Sequence, residues 1–186
     1  MFASVTDTGT RAHRTTVFAA FAIVIALFAA LLHPASAEAR TALPRRTTTE
    51  VSVSNAVAKL LNAERAAHHL KPVAVRTQLI SSARSHNLAM SRTNTMTHQA
   101  RGEAALGSRI TSTGYKWTWA GENVGWNSQM TTAGVLMLQK AMYNEQPPND
   151  GHRQNILNSH FTNVGVDVYL DAANHKVWLT VDFGRP

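Results

Sequence analysis

Cysteine is absent from this chain of 186 residues, and its absence removes several classes of site. Without a thiol the chain has no disulfide framework, no thiolate nucleophile and no cysteine-ligated zinc site. A domain of roughly 150 residues buries about two-thirds of its surface on folding, so it does not need covalent crosslinks. The lack of disulfides is therefore compatible with a protein that works outside the cell.

Acidic residues are also few, because 11 aspartates and glutamates stand against 18 lysines and arginines, for a formal net charge of +7. Such a surplus favours contact with anionic polymers or membrane surfaces. Dense runs of basic residues are missing, however, and the nearest approach to one is Arg45-Arg46. The pattern predicts a solvated basic face rather than a nucleic-acid partner.

Long apolar runs are limited to one, over residues 17–32 near the N-terminus. Arg11 and Arg14 precede the run, and Ala35-Ser36-Ala37 follows it. This order of basic end, apolar stretch and small-x-small site is typical of a signal peptide. A permanent membrane helix needs about 20 apolar residues, so we expect cleavage after residue 37, secretion and no stable membrane span. An uncleaved N-terminal anchor is the alternative.

The rest of the chain predicts a linker over 38–52 and one domain over 53–186. Residues 38–50 carry a single large apolar side chain, Leu43, next to Pro44, as expected of a linker. We expect Ser52 or Ser54 to cap the first helix of the domain. We also expect the domain to be a monomer.

Apolar periodicity predicts helices early in the domain and strands late. The expected helices run from the cap to about residue 69, and over 77–92, 103–110 and 131–144. Alternating residues over 164–169 and 177–183 predict two strands, joined as a hairpin by the five-residue loop 171–175. This order indicates an α+β class with helices on the faces of a sheet.

Four acids and imidazoles stand at junctions between loops and predicted elements: His98, Glu122, Glu145 and His152. Such positions suit a pocket wall. The two imidazoles could ligate a divalent ion such as zinc. Either glutamate could be a third ligand, a general base or a carboxylate that orients an imidazole. A His-Glu-x-x-His motif is missing, and the alternative is a hydrogen-bonded network that ties loops together.

The other polar and aromatic residues favour ordinary structural roles. We expect Glu64 and Glu103 to be helix-surface acids, and His86 to be structural. Three tryptophans fall close together, and we expect them to pack in or around the core, with ligand stacking as the alternative: Trp117, Trp119 and Trp126.

Five stretches resemble bacterial CAP domains (cysteine-rich secretory protein, antigen 5, pathogenesis-related 1; also called SCP domains). They are LLNAERAAHHLKPV (60–73), ARSHNLAMSRTNTMTH (83–98), AGENVGWN (120–127), MYNEQPPNDGHRQNILNSHFTNVGVDV (142–168) and VWLTVDFG (177–184). The chain is identified as a member of this superfamily, of the bacterial type without cysteines. The resemblance implies a three-layer α-β-α sandwich whose cleft holds His98, Glu122, Glu145 and His152.

The resemblance implies less about function, since no single enzymatic activity unites the superfamily. Related clefts bind divalent cations in some members, which implies a zinc-like ion on His98 and His152. We expect an extracellular module that binds a lipid, a glycan or a wall fragment. The alternatives are a metal-dependent extracellular hydrolase, with Glu122 or Glu145 as catalytic candidates, and a structural or defence protein with a non-catalytic tetrad. The loop linked to sterol export in some members has no clear counterpart here.

Overall fold

The structure is a computed structural model that describes residues 43–186. The predicted signal peptide and residues 38–42 of the predicted linker lie outside the described residues. The described helices are α1 (Thr48–Ala66), α2 (Thr77–Thr93), α3 (Leu106–Ser112), α4 (Thr132–Tyr143) and α5 (Gly151–Ile156). The described strands are β1 (Ala74–Val75), β2 (Trp119–Asn127), β3 (Asn163–Asp171) and β4 (Lys176–Arg185). None of these helices has the length and apolar character needed to cross a membrane.

The strands form one sheet in the order β1-β3-β4-β2. β3 and β4 make the predicted antiparallel hairpin, and β2 pairs antiparallel with the other side of β4. The hairpin loop is shorter than expected, because Asp171 still pairs with Lys176 and leaves residues 172–175 in the turn. Asp171 stays in the strand while its Oδ1 accepts a hydrogen bond from Asn174 N at 3.1 Å, which tightens the turn.

Helices cover both faces of the sheet, which confirms the predicted α+β, three-layer α-β-α architecture. α1, α4 and α5 pack on one face, and α2 and α3 pack on the other. The first face is apolar, and its strand residues form the main core with Val57 and Leu61 of α1: Val164, Val166, Val168, Val177, Leu179, Val181 and Phe183. Burial of this stripe fixes the register of the hairpin, since a slip by one residue would turn every valine away from α1.

The opposite face of the same strands is polar, yet it is also buried. Asp167 and Thr180 are fully inaccessible beneath α2. Asn87 of α2 donates from Nδ2 to Asp167 Oδ2 at 2.8 Å and accepts from Thr180 Oγ1 at 2.6 Å. Gly165 lets the helix approach this face, because a Cβ there would lie 2.2 Å from the carbonyl carbon of Leu79. The layer under α2 is therefore held by hydrogen bonds and close backbone contact.

The first helix begins earlier than predicted, so the prediction of a linker as far as residue 52 was wrong. Thr47 is the cap residue: its Oγ1 accepts from Glu50 N at 3.1 Å, and Thr47 N donates to Glu50 Oε2 at 2.7 Å. This reciprocal arrangement is a capping box. Ser52 and Ser54, the expected caps, lie inside the helix. Glu50 is buried, with 2% of its surface exposed, so this stretch belongs to the folded domain.

The other predicted helices and strands lie close to their expected bounds, except α3. α2 and α4 agree with it to within one residue at each end. α3 starts later than expected because Glu103 forms a turn, in which its Oε2 accepts from Ala100 N at 3.0 Å. β1 and α5 were not predicted, since elements of 2 and 6 residues are too short to show periodicity.

Glu64 is a buried acid in the interface between α1 and α4, and the prediction of a surface role was wrong. Only 7% of Glu64 and none of Gln139 is exposed, and Gln139 Nε2 donates to Glu64 Oε2 at 2.7 Å. Burial raises the pKa of Glu64 to about 7, against the smaller effects of Gln139 and the charge of Lys140. Glu64 Oε1 and Gln139 Oε1 are buried without a hydrogen-bond partner among the described residues. A proton on Glu64 would turn one of these acceptors into a donor.

We expect Glu64→Gln to stabilise the domain at pH 8 by about 2 kcal/mol and to change little at pH 5. In wild type the folded state keeps a proton that the unfolded state releases, so stability falls as pH rises from 4.5 to about 7. Glutamine mimics the neutral acid at every pH and removes this loss. Urea denaturation of both proteins at the two pH values measures the effect. The same difference at both pH values would contradict a change of ionisation at Glu64.

Candidate functional site

The four predicted site residues line one cleft, whose volume is about 410 Å³. His98 comes from the loop after α2, Glu122 from β2, Glu145 from the segment after α4, and His152 from α5. The remaining lining residues are Asn149, Gly151 and Asn155. Every residue of this wall is polar or glycine.

The cleft forms where the two helical layers meet at β2, which is an edge strand of the sheet. Successive residues of β2 point to opposite layers. Glu122 faces the layer of α2 and α3, whereas Asn123 faces α5 and donates from Nδ2 to His152 O at 3.0 Å. Asn155 of α5 donates back to Glu122 O at 3.2 Å and to Asn123 Oδ1 at 2.9 Å. These contacts hold the two halves of the cleft in register.

His98 and Glu122 form the first carboxylate–imidazole pair, with 2.9 Å between His98 Nδ1 and Glu122 Oε1. Arg109 of α3 donates to Glu122 Oε2 and also to His98 O, the latter at 3.2 Å. The hydrogen bond to Glu122 and the charge of that carboxylate raise the pKa of His98, against desolvation and the charge of Arg109. The side chain of Glu122 is 2% exposed and that of His98 is 62% exposed. A fixed, buried acid therefore orients an accessible imidazole.

His152 and Glu145 form the second pair, with 2.5 Å between His152 Nδ1 and Glu145 Oε1. The other oxygen, Glu145 Oε2, accepts from the backbone of His152 at 3.0 Å and of Arg153 at 3.4 Å. Arg153 in turn donates to Tyr143 O at the end of α4. In this geometry Glu145 is placed to orient the imidazole of His152.

The two pairs leave the same atom of each imidazole available. Because each Nδ1 bonds a carboxylate, the Nε2 atoms of His98 and His152 are the ones without a partner within residues 43–186. A carboxylate on one imidazole nitrogen is the usual way to orient the other nitrogen toward a ligand. No group of three or more histidine or acidic side chains in the described part of the chain is arranged to hold a metal ion. The donor set available to a cation is thus two imidazoles.

A buried charged network behind Glu122 was not predicted. Glu103, expected on the surface, has a side chain only 8% exposed, and its Oε2 lies 2.8 Å from His86 Nδ1. His86 is fully buried, and its Nε2 lies 3.8 Å from Glu122 Oε2. The signal in the sequence was the placement of His86 beside the apolar face of its helix, which a surface histidine would avoid.

Asp182 also belongs to this buried network and was not predicted. It lies directly across from Glu122 in the pairing of β2 with β4. It is fully buried, and burial raises its pKa well above the usual range, with the charge of Glu122 adding to the rise. A neutral Asp182 leaves the negative charge of the pair on Glu122, where Arg109 and His98 bind it. The signal in the sequence was the polar position of Asp182 within the alternating strand β4.

The three clustered tryptophans lie at the rim of the core rather than inside it. Trp178 is the buried one, while Trp117, Trp119 and Trp126 are 39%, 46% and 42% exposed. Lys176 Nζ lies 4.4 Å from the centre of the Trp126 ring. Trp126 is not among the residues that line the His/Glu cleft.

A sequence model of the CAP family, described as the cysteine-rich secretory protein family, matches residues 58–183. The chain belongs to the CAP family. The matched region includes all four cleft residues and the whole sheet except the last residues of β4. It begins within α1, so the first part of that helix lies outside it. This confirms the family predicted from the sequence.

Two bacterial proteins are similar to this CAP domain in sequence. The uncharacterized protein YkwD of Bacillus subtilis is 31% identical over 152 residues, which are 82% of this chain and 55% of YkwD. The chain therefore spans about half the length of that relative. An extracellular protein of Bacillus anthracis that contains an SCP domain is 28% identical, with a TM-score of 0.63 over 77% of this chain and 45% of that one.

An outer surface protein of Borrelia burgdorferi is similar in fold alone, with 15% identity and a TM-score of 0.61 over 72% of this chain and 92% of that one. Both solved structures thus come from proteins described as extracellular or at the outer surface.

Proposed function

We propose that this CAP domain is secreted and binds a polar ligand, a glycan or peptide fragment of the cell wall, in its His/Glu cleft. The observation that carries the proposal is the pair of carboxylate-oriented imidazoles in a wall whose side chains are all polar. Sugars and peptides present the hydroxyl, amide and carboxylate groups that such a wall recognises. A lipid tail, one of the ligands considered from the sequence, would find no apolar side chain there.

Secretion is supported by two independent observations. The N-terminal segment has the order of a signal peptide, with basic residues, an apolar run over 17–32 and a small-x-small site. The similar solved structures are of proteins described as extracellular or outer-surface. N-terminal sequencing of protein recovered from the medium tests this part of the proposal, with Glu38 as the expected first residue.

A divalent cation fits the donor set as a weakly held component of the site. His98 and His152 would hold it through Nε2, and Glu122 and Glu145 would keep both rings in place. When bound, the cation would supply a positive charge for carboxylate or hydroxyl groups of the ligand. A structural zinc site uses four protein ligands and a catalytic one usually three. Two imidazoles therefore give lower affinity and leave the ion open to ligand.

Binding is favoured over hydrolysis because both glutamates already serve to orient an imidazole. Glu122 is bonded through Oε1 to His98 and through Oε2 to Arg109. Glu145 is bonded through Oε1 to the imidazole and through Oε2 to the backbone of His152. A base needs a lone pair directed at the proton that it removes.

We expect zinc to bind the wild-type protein weakly and to lose measurable binding in His98→Ala and His152→Ala. Glu122→Gln should weaken binding roughly 10- to 100-fold, because glutamine orients the His98 ring less strongly. Affinity should fall as pH is lowered, since a protonated imidazole cannot coordinate. The raised pKa of His98 places that loss at a higher pH than for an isolated histidine. Titration calorimetry at two pH values measures all three effects.

The matched control is His175→Asn in the hairpin turn, where asparagine tolerates the left-handed φ of 51°. It should bind zinc as wild type does. Muramyl dipeptide, a small glycan–peptide probe, should shift the NMR imidazole signals of His98 and His152 and leave that of His175 in place. If His98→Ala and His152→Ala both bind zinc as tightly as wild type, the cation is no longer part of the proposal. Unmoved His98 and His152 signals at saturating probe would instead favour a purely structural tetrad.

A further inference from the structure

The charged surface of the described domain has one sign. Every acidic residue within 43–186 is buried or half-buried. The exposed charged residues are all basic, and they are Arg45, Lys59, Lys71, Arg76, Arg92, Arg101, Lys116, Lys140 and Arg185. The exposed charge of the described domain is therefore positive.

Three adjoining cavities open on this surface away from the His/Glu cleft, and we call them together the Trp117 groove. Two of them, of about 530 and 500 Å³, share Trp117 and Thr111 as walls. The third, of about 380 Å³, shares Tyr115 and Lys116 with the first and extends to Arg76. The volumes lie in the range of small-ligand sites. The groove shares no lining residue with the His/Glu cleft.

Trp117 is a fixed platform in the middle of the groove. Its Nε1 donates to Thr111 Oγ1 at 3.0 Å, which sets the orientation of the indole. One edge of the ring packs on Gly107 of α3, where an added Cβ would lie 2.8 Å from Cζ2. The side chain is nevertheless 39% exposed. An oriented, accessible indole presents a negative π-face to the slightly positive C–H groups of a ligand such as a sugar ring.

Two cations without acidic partners among the described residues line the third cavity of the groove. Lys116 is exposed and forms no ion pair with any residue of 43–186. Arg76 donates from Nε to Asn163 Oδ1 at 2.6 Å, which anchors the guanidinium and leaves its terminal nitrogens unbonded within the described residues. An anchored guanidinium is suited to a carboxylate, which it binds through two parallel hydrogen bonds.

We propose that the Trp117 groove binds an acidic saccharide, with one sugar ring stacked on Trp117 and a carboxylate held by Arg76 and Lys116. The hydroxyl groups of Ser108 and Thr111 lie in the same wall and suit the hydroxyls of the sugar. The one-sign surface around the groove favours approach of an anionic polymer over a neutral one. This site is separate from the one in the proposed function and does not depend on it.

Trigalacturonate, an acidic trisaccharide, and maltotriose, a neutral one, are the probes for an NMR titration of the full chain labelled with ¹⁵N. We expect trigalacturonate to shift the indole N–H signal of Trp117 in a saturable manner and maltotriose to bind more weakly. Trp117→Leu should weaken binding about tenfold. Lys116→Gln and Arg76→Gln should each weaken it about 2- to 5-fold, and added salt should weaken it further.

Two controls separate this site from general effects. Trp126→Leu removes a tryptophan of similar exposure from the other end of β2 and should bind as wild type does. Gly107→Ala keeps Trp117 but displaces its ring, so it should weaken binding even if Trp117→Leu fails to fold. The double variant His98→Ala/His152→Ala should bind trigalacturonate normally, whatever it does to zinc.

Three results would overturn the proposal. One is an unmoved Trp117 signal at millimolar trigalacturonate. Another is equal binding of the acidic and neutral probes, since the cations would then have no role. The third is tighter binding of an oligothymidylate than of trigalacturonate, which would assign the groove to single-stranded nucleic acid.

Discussion

Arg65→Ala should lower the free energy of unfolding by about 4 kcal/mol, the largest loss that we expect from one substitution. Arg65 is 1% exposed and donates to main-chain carbonyls rather than to an acid. The acceptors and distances are Lys71 O at 3.0 Å, Ile156 O at 2.7 Å, Asn158 O at 3.0 Å and Phe161 O at 3.3 Å. Removing the guanidinium leaves these oxygens without their side-chain donor.

The same contacts connect the end of α1 to the chain between α5 and β3, so Arg65 also supports the helix that carries His152. Arg65→Lys should give an intermediate loss, because an ammonium group cannot reach carbonyls on several sides. Arg92→Ala, on the exposed face of α2, is the matched control and should change stability by less than about 0.5 kcal/mol. Urea denaturation of the three variants decides the matter. A loss below about 1 kcal/mol in Arg65→Ala would mean that water replaces the guanidinium.

A chain that begins at residue 51 should melt at least about 10 °C below one that begins at residue 43. The deleted stretch looks like a linker in the sequence, but it supplies three structural groups. Arg46 Nε lies 2.9 Å from Asp167 Oδ1, and Thr47 caps α1. Glu50 Oε1 accepts from Leu170 N at 3.0 Å and from Arg84 Nη1 at 3.3 Å. Truncation leaves the buried charges of Arg84 and Asp167 without these partners.

Burial and, to a smaller extent, the charge of Glu50 raise the pKa of Asp167 to about 6, while the hydrogen bond from Asn87 and the charges of Arg84 and Arg46 oppose the rise. Loss of Arg46 removes one of these opposing charges. In the full chain, Arg46→Gln should therefore cost about 1–3 kcal/mol, whereas the neighbouring Arg45→Gln should cost almost nothing, since its side chain is exposed. Calorimetric melting of the two truncations and the two variants tests this. Equal melting temperatures for the truncations would restore the view of residues 43–50 as a linker.

The members of the candidate site could be predicted from the sequence, but their pairing could not. His98, Glu122, Glu145 and His152 stand out because each lies beside a turn or the end of an element, where a polar residue is not needed for packing. Which glutamate holds which imidazole depends on the edge position of β2 and on α5, an element of 6 residues that leaves no periodic signal. The pairing of each glutamate with its imidazole is therefore given by the distances of the folded chain alone.

Periodicity by itself determined the α+β class, the two long helices α2 and α4, and the β3–β4 hairpin, because side-chain spacing along a single element reflects the face that it buries. Only the tertiary structure decided what covers the other faces. The polar face of the sheet, which carries Asp167 and Asp182, is as inaccessible to solvent as the apolar face, because α2 covers it with side chains that form hydrogen bonds. Glu50 and Glu64 are also buried, each against a hydrogen-bonding side chain that another helix supplies. From the pattern of one element alone, a polar residue is predicted to be exposed to solvent. It is buried instead when the fold brings a hydrogen-bonding partner to it, and that partner is distant in the sequence.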